Sequence, residues 1–149
     1  MVLREKSGEY LVYSTVRSKP LTNLEIQQCV SHVLKSLKVQ GSLSIHCIGD
    51  LRMRQLNRHY RGKDKTTDVL SFSLREGKSI SPHAEELGDI FISVPQIERQ
   101  ASSLSISSRE EFIRMLIHGI LHILGHDHEK ENDAKLMFSI QEKFLTQLV

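Results

Sequence analysis

The sequence predicts an α+β fold: a single small domain over residues 1–149, in which a mixed four-stranded sheet is covered by about five helices and a central helix carries histidines. Three observations predict it. The chain has 149 residues, enough to bury one substantial core. Short alternating segments are interspersed with longer segments of helical period and no repeats, the pattern of one sheet under a layer of helices. The segment from Phe112 to Leu124 is apolar almost all round, as a helix packed on several sides must be.

Glu9 to Val16 reads as the first strand. Pro20 marks a boundary, and Thr22 with Glu25 forms a capping-box pattern that opens a helix from Thr22 to Leu37. Ser42 to Ile48 alternates, with Leu43, Ile45 and Cys47 on one side, and is the second strand. Asp50 to Tyr60 carries Leu51, Met53, Leu56 and Tyr60 at helical spacing. Thr67 to Leu74 is the third strand, followed by a loop from Glu76 to Glu86 containing Gly77 and Pro82. Leu87 to Val94 is the fourth. Pro95 suits a first helical turn and leads into a helix over Gln96 to Leu104. The histidine helix starts at Ser107 or Ser108, each with Glu three residues later. A last helix, Glu129 to Leu148, lines up Met137, Ile140, Phe144 and Leu148, which places Met137 in the core and not in a separate methionine turn.

Hydrophobic residues are 39% of the chain and charged residues 26%, ordinary for a soluble protein. No apolar run has membrane-spanning length, and MVLREKSGEYLVYS lacks the apolar stretch and cleavage site of a secretory signal, so a cytoplasmic protein with no membrane partner is expected. Cys29 and Cys47 read as small buried hydrophobes.

Four of the eight histidines fall in the run HGILHILGHDH. His118 and His122 are one helical turn apart and share a face. Gly125 can end the helix in the left-handed conformation and redirect the chain, so that His128 approaches as a third ligand. Three nitrogens on one ion leave a fourth position open, the arrangement of a catalytic zinc site. Helix-end placement suited to the macrodipole accounts for His126. It does not account for His118 and His122, which interrupt an apolar series where an unpaired polar group costs roughly 1–3 kcal/mol. One zinc ion per chain is the expectation, with other transition metals open because imidazole suits them too.

The spacing His-x-x-x-His-x-x-Gly-x-x-His is also that of metzincin proteases. In those enzymes a Glu after the first histidine is the general base. Here the position is Gly119, which argues against peptide hydrolysis. The net charge of +2 does not itself point to nucleic acid, but Arg52, Arg54, Arg58, Arg61, Lys63 and Lys65 cluster against the single acid Asp64, an excess suited to phosphates or to a solvated helix face.

With the segment LNRHYRGKDKTTDVLSF, residues 56–72, the later LGDI around Gly88 and Asp89, and HGILHILGHDH, the chain resembles the YbeY family. The blocks stand in the family's order and span most of the chain after residue 50. The first 50 residues match only in architecture. Two departures are Thr66, commonly Pro, and His126, commonly Tyr. The resemblance implies a single-domain, zinc-dependent endoribonuclease for single-stranded RNA. It implies a role in maturation of the 3′ end of the 16S rRNA precursor and in ribosome quality control, with the ribosome or its small subunit as partner. It also implies that Arg61 is the functional arginine and that His118, His122 and His128 are the ligands. A guanidinium fork fits phosphate, so Arg61 is the catalytic candidate, with Arg58, Lys63 and Lys65 as substrate contacts. Zinc would polarise the phosphoryl group, activate water, or both. The general base and the attacking group, water or a 2′-hydroxyl, stay open. So do Asp127, either orienting a histidine or forming a turn, and Asp68 and Ser71, either functional or structural. A metallohydrolase of the protease type and a ribosome assembly factor with a mainly structural metal are the alternatives.

Overall fold

The computed structural model describes residues 2–5, 8–74, 86–126 and 130–149, the first segment by its backbone. Its elements run β1 (Val2–Glu5), β2 (Gly8–Ser14), α1 (Asn23–Ser36), β3 (Ser42–Ile48), α2 (Asp50–Arg61), β4 (Val69–Ser73), β5 (Glu86–Ser93), α3 (Val94–Leu104), α4 (Ser108–Ile123) and α5 (Glu131–Leu148). The α+β class, the mixed sheet and the five helices are as predicted. Among the described residues the sheet has five strands, one more than expected, in the order β1-β2-β3-β5-β4. The addition is β1, a four-residue edge strand antiparallel to β2, too short to carry an alternation signal. Most of the predicted 76–86 loop lies outside the described residues.

The three inner strands β2, β3 and β5 are parallel, and β4 closes the far edge antiparallel to β5. Strand alternation divides the side chains between two faces. Tyr10, Val12, Leu43, Ile45, Cys47, Ile90 and Ile92 point into the main core with residues of α1, α3, α4 and α5. A smaller cluster on the opposite face joins Ile48 and Leu70 to Met53 and Leu56 of α2.

Helix ends follow the predicted chemistry. Thr22 Oγ1 accepts from Glu25 N at 3.2 Å while Glu25 Oε1 accepts from Thr22 N at 3.1 Å, completing the capping box. Ser107, not Ser108, caps α4, accepting from Glu110 N at 3.0 Å. Helix α4 packs against α1, α3, α5, β4 and β5, which is why Phe112, Ile113, Leu116, Ile117, Ile120 and Leu121 are all buried. Met137 is 2% exposed, in the core as predicted. Cys29 and Cys47 are free and buried, and burial pushes both thiols up to about 11.

Candidate metal centre

The C-terminal half of α4 crosses β4 and β5 at close range. A Cβ on Gly119 would meet Ile90 Cγ2 and Ser71 Oγ at 3.0 Å and Val69 Cγ2 at 3.3 Å. Ser71 Oγ donates to Gly119 O at 3.1 Å, and Ser73 Oγ donates at 3.4 Å to Ile123 O, a carbonyl of the last helical turn. Position 119 is therefore glycine for packing, and a glutamate there would be driven into the sheet. Ser71 fastens the helix to the edge strand.

That docking leaves His118 and His122 partly exposed on the side of α4 that meets α5. Gln141 of α5, 6% exposed, places its amide oxygen 2.8 Å from His118 Nδ1. An amide oxygen accepts only, so Nδ1 carries the proton and Nε2 presents its lone pair. Arg114 and Glu142 tie the same two helices together one turn away, Nε to Oε1 at 3.2 Å. The two Nε2 atoms of His118 and His122 converge to 3.1 Å, with ring planes at 72°. Two nitrogens each about 2.0–2.1 Å from one tetrahedral zinc lie about 3.3 Å apart, so the pair fits a shared ion. A hollow of about 270 Å³ lined by His118, Ala134, Met137, Phe138 and Gln141 adjoins it.

Beyond His122 the helix ends as the sequence predicts. Gly125 has φ 94°, its N–H bonds His122 O at 3.0 Å, and His126 N reaches back to Leu121 O at 3.0 Å. Asp127 and His128 lie outside the described residues. Among the described residues no third His, Cys, Asp or Glu joins the pair.

The basic segment is held from beneath. Asp50, at the start of α2, accepts from Arg99 at 2.8 and 2.9 Å, from Ser93 Oγ at 3.0 Å and from Thr66 Oγ1 at 3.1 Å. Arg99, with Ser93 and Thr66 adding, holds the Asp50 carboxyl below its ordinary value near 3.8. Buried Asn57 donates to Lys65 O at 2.8 Å, and Arg54 makes a two-pronged pair with Asp64 at 2.9 and 3.1 Å. Arg54 is thus removed from the local cationic excess. Thr66, a departure from the family pattern, has its own anchoring bond. Asp68 Oδ1 accepts from Val69 N at 2.7 Å, so Asp68 shapes the entry to β4.

Arg58, Arg61, Lys63 and Lys65 are all exposed. Arg61 is the last residue of α2, just before Gly62 at φ 69°. Its neighbour Tyr60 touches Phe72 on one face of β4, while Ser71 and Ser73 bind α4 from the other. Among the described residues no hydrogen bond or ion pair joins the arginine to the imidazoles.

The model of the family described as endoribonuclease YbeY matches residues 13–149. The chain belongs to the YbeY family. A protein named endoribonuclease YbeY from Sulfurihydrogenibium sp. (strain YO3AOP1) is 38% identical over 147 residues, covering 97% of this chain and 95% of that one. A second protein of the same name, from Persephonella marina, is 40% identical over 135 residues, covering 89% and 88%. The solution structure of TM1509 from Thermotoga maritima has a similar fold, with a TM-score of 0.68 at 24% identity over 93% of this chain and 88% of that one.

Proposed function

We propose that this YbeY family chain is a metal-dependent endoribonuclease for single-stranded RNA. The observation that carries the reading is the convergence of His118 Nε2 and His122 Nε2 at 3.1 Å, with the tautomer of His118 set by Gln141. His118, His122 and His128 would hold one zinc ion per chain. Bound zinc supplies Lewis acidity towards a phosphodiester and makes water a stronger nucleophile near neutral pH. Arg61 offers a permanent charge and a planar fork to the non-bridging phosphate oxygens, whose negative charge grows during displacement. Arg58, Lys63 and Lys65 carry neighbouring phosphates. The packed position of Gly119 supports RNA over peptide, because the residue that serves as base in zincin proteases has no room there. The family resemblance supports a narrower substrate, the 3′ end of the 16S rRNA precursor on the small ribosomal subunit, with a part in ribosome quality control. It also supports a cytoplasmic location. No described helix is long and apolar enough to cross a membrane.

The test is turnover. Purified protein is incubated with labelled single-stranded RNA and with a peptide library, with and without chelator. RNA is expected to be cut and peptides left intact, with cutting lost on chelation and in His122→Ala. Arg61→Lys is expected to lower cleavage of bound RNA more than it lowers binding. Chelator-sensitive peptide cleavage would reverse the reading, and metal binding without turnover of any RNA would leave a structural metal in an assembly factor.

A further inference from the structure

The face of the sheet opposite α4 carries a row of rings. Tyr13 of β2, His46 of β3 and Phe91 of β5 are direct cross-strand partners. Their rings stack at 5.1 and 4.2 Å, tilted by only 16° and 10°. Phe72 of β4 meets Phe91 edgewise at 5.7 Å, and Tyr60 of α2 meets Phe72 at 4.9 Å. The row thus runs from β2 across to α2. His46 is fixed within it by a 2.9 Å bond between its Nε2 and Asp89 Oδ1. The inner rings are half-buried, whereas Tyr13 at one end and Tyr60 at the other, itself met edgewise by His59 at 4.6 Å, are 50% and 59% exposed.

Core closure explains Phe72 and Phe91, which pack against the small cluster under α2, but not the two exposed tyrosines. Among the described helices it is α2 that packs on this face, over Ile48 and Leu70. An aromatic side chain contributes by burying about 150–250 Å², and two tyrosines left half in solvent forfeit much of that. The stack instead holds its terminal rings rigid and ready for a flat partner. Beside Tyr60 lies a hollow of about 310 Å³ lined by Arg52, Gln55, Leu56, Arg58, His59 and Tyr60. That volume is at the lower end of the roughly 300–1,000 Å³ of small-ligand sites. Among the described residues two guanidiniums line it and no carboxylate does. A flat apolar ring beside a cationic hollow matches the chemistry of a nucleotide, a base to stack and a phosphate to neutralise.

We propose that this open sheet face is a binding track for single-stranded RNA, with bases stacking on the outer faces of Tyr13 and Tyr60 and a phosphate held between Arg52 and Arg58. The track rests on the ribonuclease reading for its substrate but lies on the other side of the sheet from the histidine pair. From Tyr13 to Tyr60 successive ring centroids are 5.1, 4.2, 5.7 and 4.9 Å apart, so a strand reaching both tyrosines spans several nucleotides at about 3.4 Å each.

Binding and cutting are measured apart. Affinity is read by fluorescence anisotropy with a labelled, single-stranded 2′-O-methyl oligonucleotide of about ten nucleotides. Tyr13→Leu and Tyr60→Leu, both at exposed positions, are each expected to weaken binding about ten-fold with unchanged thermal unfolding, while Tyr60→Phe stays within about two-fold of the parent. Arg52→Gln and Arg58→Gln are each expected to lower the slope of log affinity against log salt by about 0.7. A parent protein that does not bind the oligonucleotide overturns the track, as do Leu variants that are folded and bind like the parent. Leu variants that bind like the parent yet dissolve a parental dimer in sedimentation assign the face to self-association and likewise overturn it. A parent that binds with tyrosine dependence but cuts no RNA upholds the track and removes the ribonuclease reading.

Discussion

Gln141 sets the chemistry of His118 from another helix, and its own position follows from packing. It sits four residues after Met137 on the buried side of α5, so its amide cannot turn to water and faces Nδ1 instead. Gln141→Leu keeps the bulk and removes the acceptor. Loss of such a partner typically costs about 10–100-fold in metal affinity, so at the proposed metal site added zinc is expected to be surrendered to a competing chelator at least about ten-fold more readily, with little change in helical content. Competition titration followed by circular dichroism checks both; unchanged affinity would show that Gln141 does not orient the ligand. Sequence reading found the histidines by their spacing and missed Gln141, although a signal was present: one amide interrupting the apolar stripe of α5. The contact it makes was not legible, because 23 residues separate the partners and the docking of the two helices decides it.

The contact between α4 and β4 depends on the smallest side chain. Gly119→Ala places a methyl group at 3.0 Å from both Ile90 and Ser71, so both must give by a few tenths of an ångström within a packed sheet, Ser71 at the expense of its bond to Gly119 O. The expected loss is about 1–3 kcal/mol in urea unfolding, against a gain from helix propensity of up to about 1 kcal/mol had the site been open. An Ala variant as stable as the parent would mean the helix rides higher on the sheet than described. The sequence marked Gly119 only as a missing glutamate; its positive reason needed the crossing distance. The helices themselves were legible to within a residue or two, because Thr22, Ser107, Pro95 and Gly125 are local signals whose effect ends within one turn. The aromatic row was not. Tyr13, His46, Phe72 and Phe91 become neighbours through strand register alone, which no local pattern encodes.

For the molecule as a whole, Asp50 is the point where α2, α3, β5 and the basic loop meet. Its carboxyl is held below the ordinary value mainly by Arg99. The stability it contributes is therefore fully present above about pH 4 and is lost as pH falls through its lowered folded-state value. Asp50→Asn is expected to flatten the acid limb of a stability–pH profile below about pH 4 and to loosen the segment from Gly62 to Asp68 at every pH. Denaturant midpoints across the acid range and hydrogen exchange at Lys65 and Thr66 measure the two effects. An acid limb as steep as the parent's would assign that dependence to other carboxylates. The α+β class was legible from periodicity, but the strand order was not, since β5 rather than the earlier β4 pairs with β3.

That order fixes when the molecule can come together. As the chain leaves the ribosome, β2, α1 and β3 can assemble early, but the next strand to emerge, β4, has no place beside them. The edge of β3 stays open, a row of unpaired amides and carbonyls, until Glu86–Ser93 arrives and inserts. Only then does β4 gain a neighbour, and only after it the floor on which α4 lays Gly119 and aims its two imidazoles. The histidine pair is thus among the last features to take shape, and a nascent chain released before β5 would be a sheet edge without a catalyst.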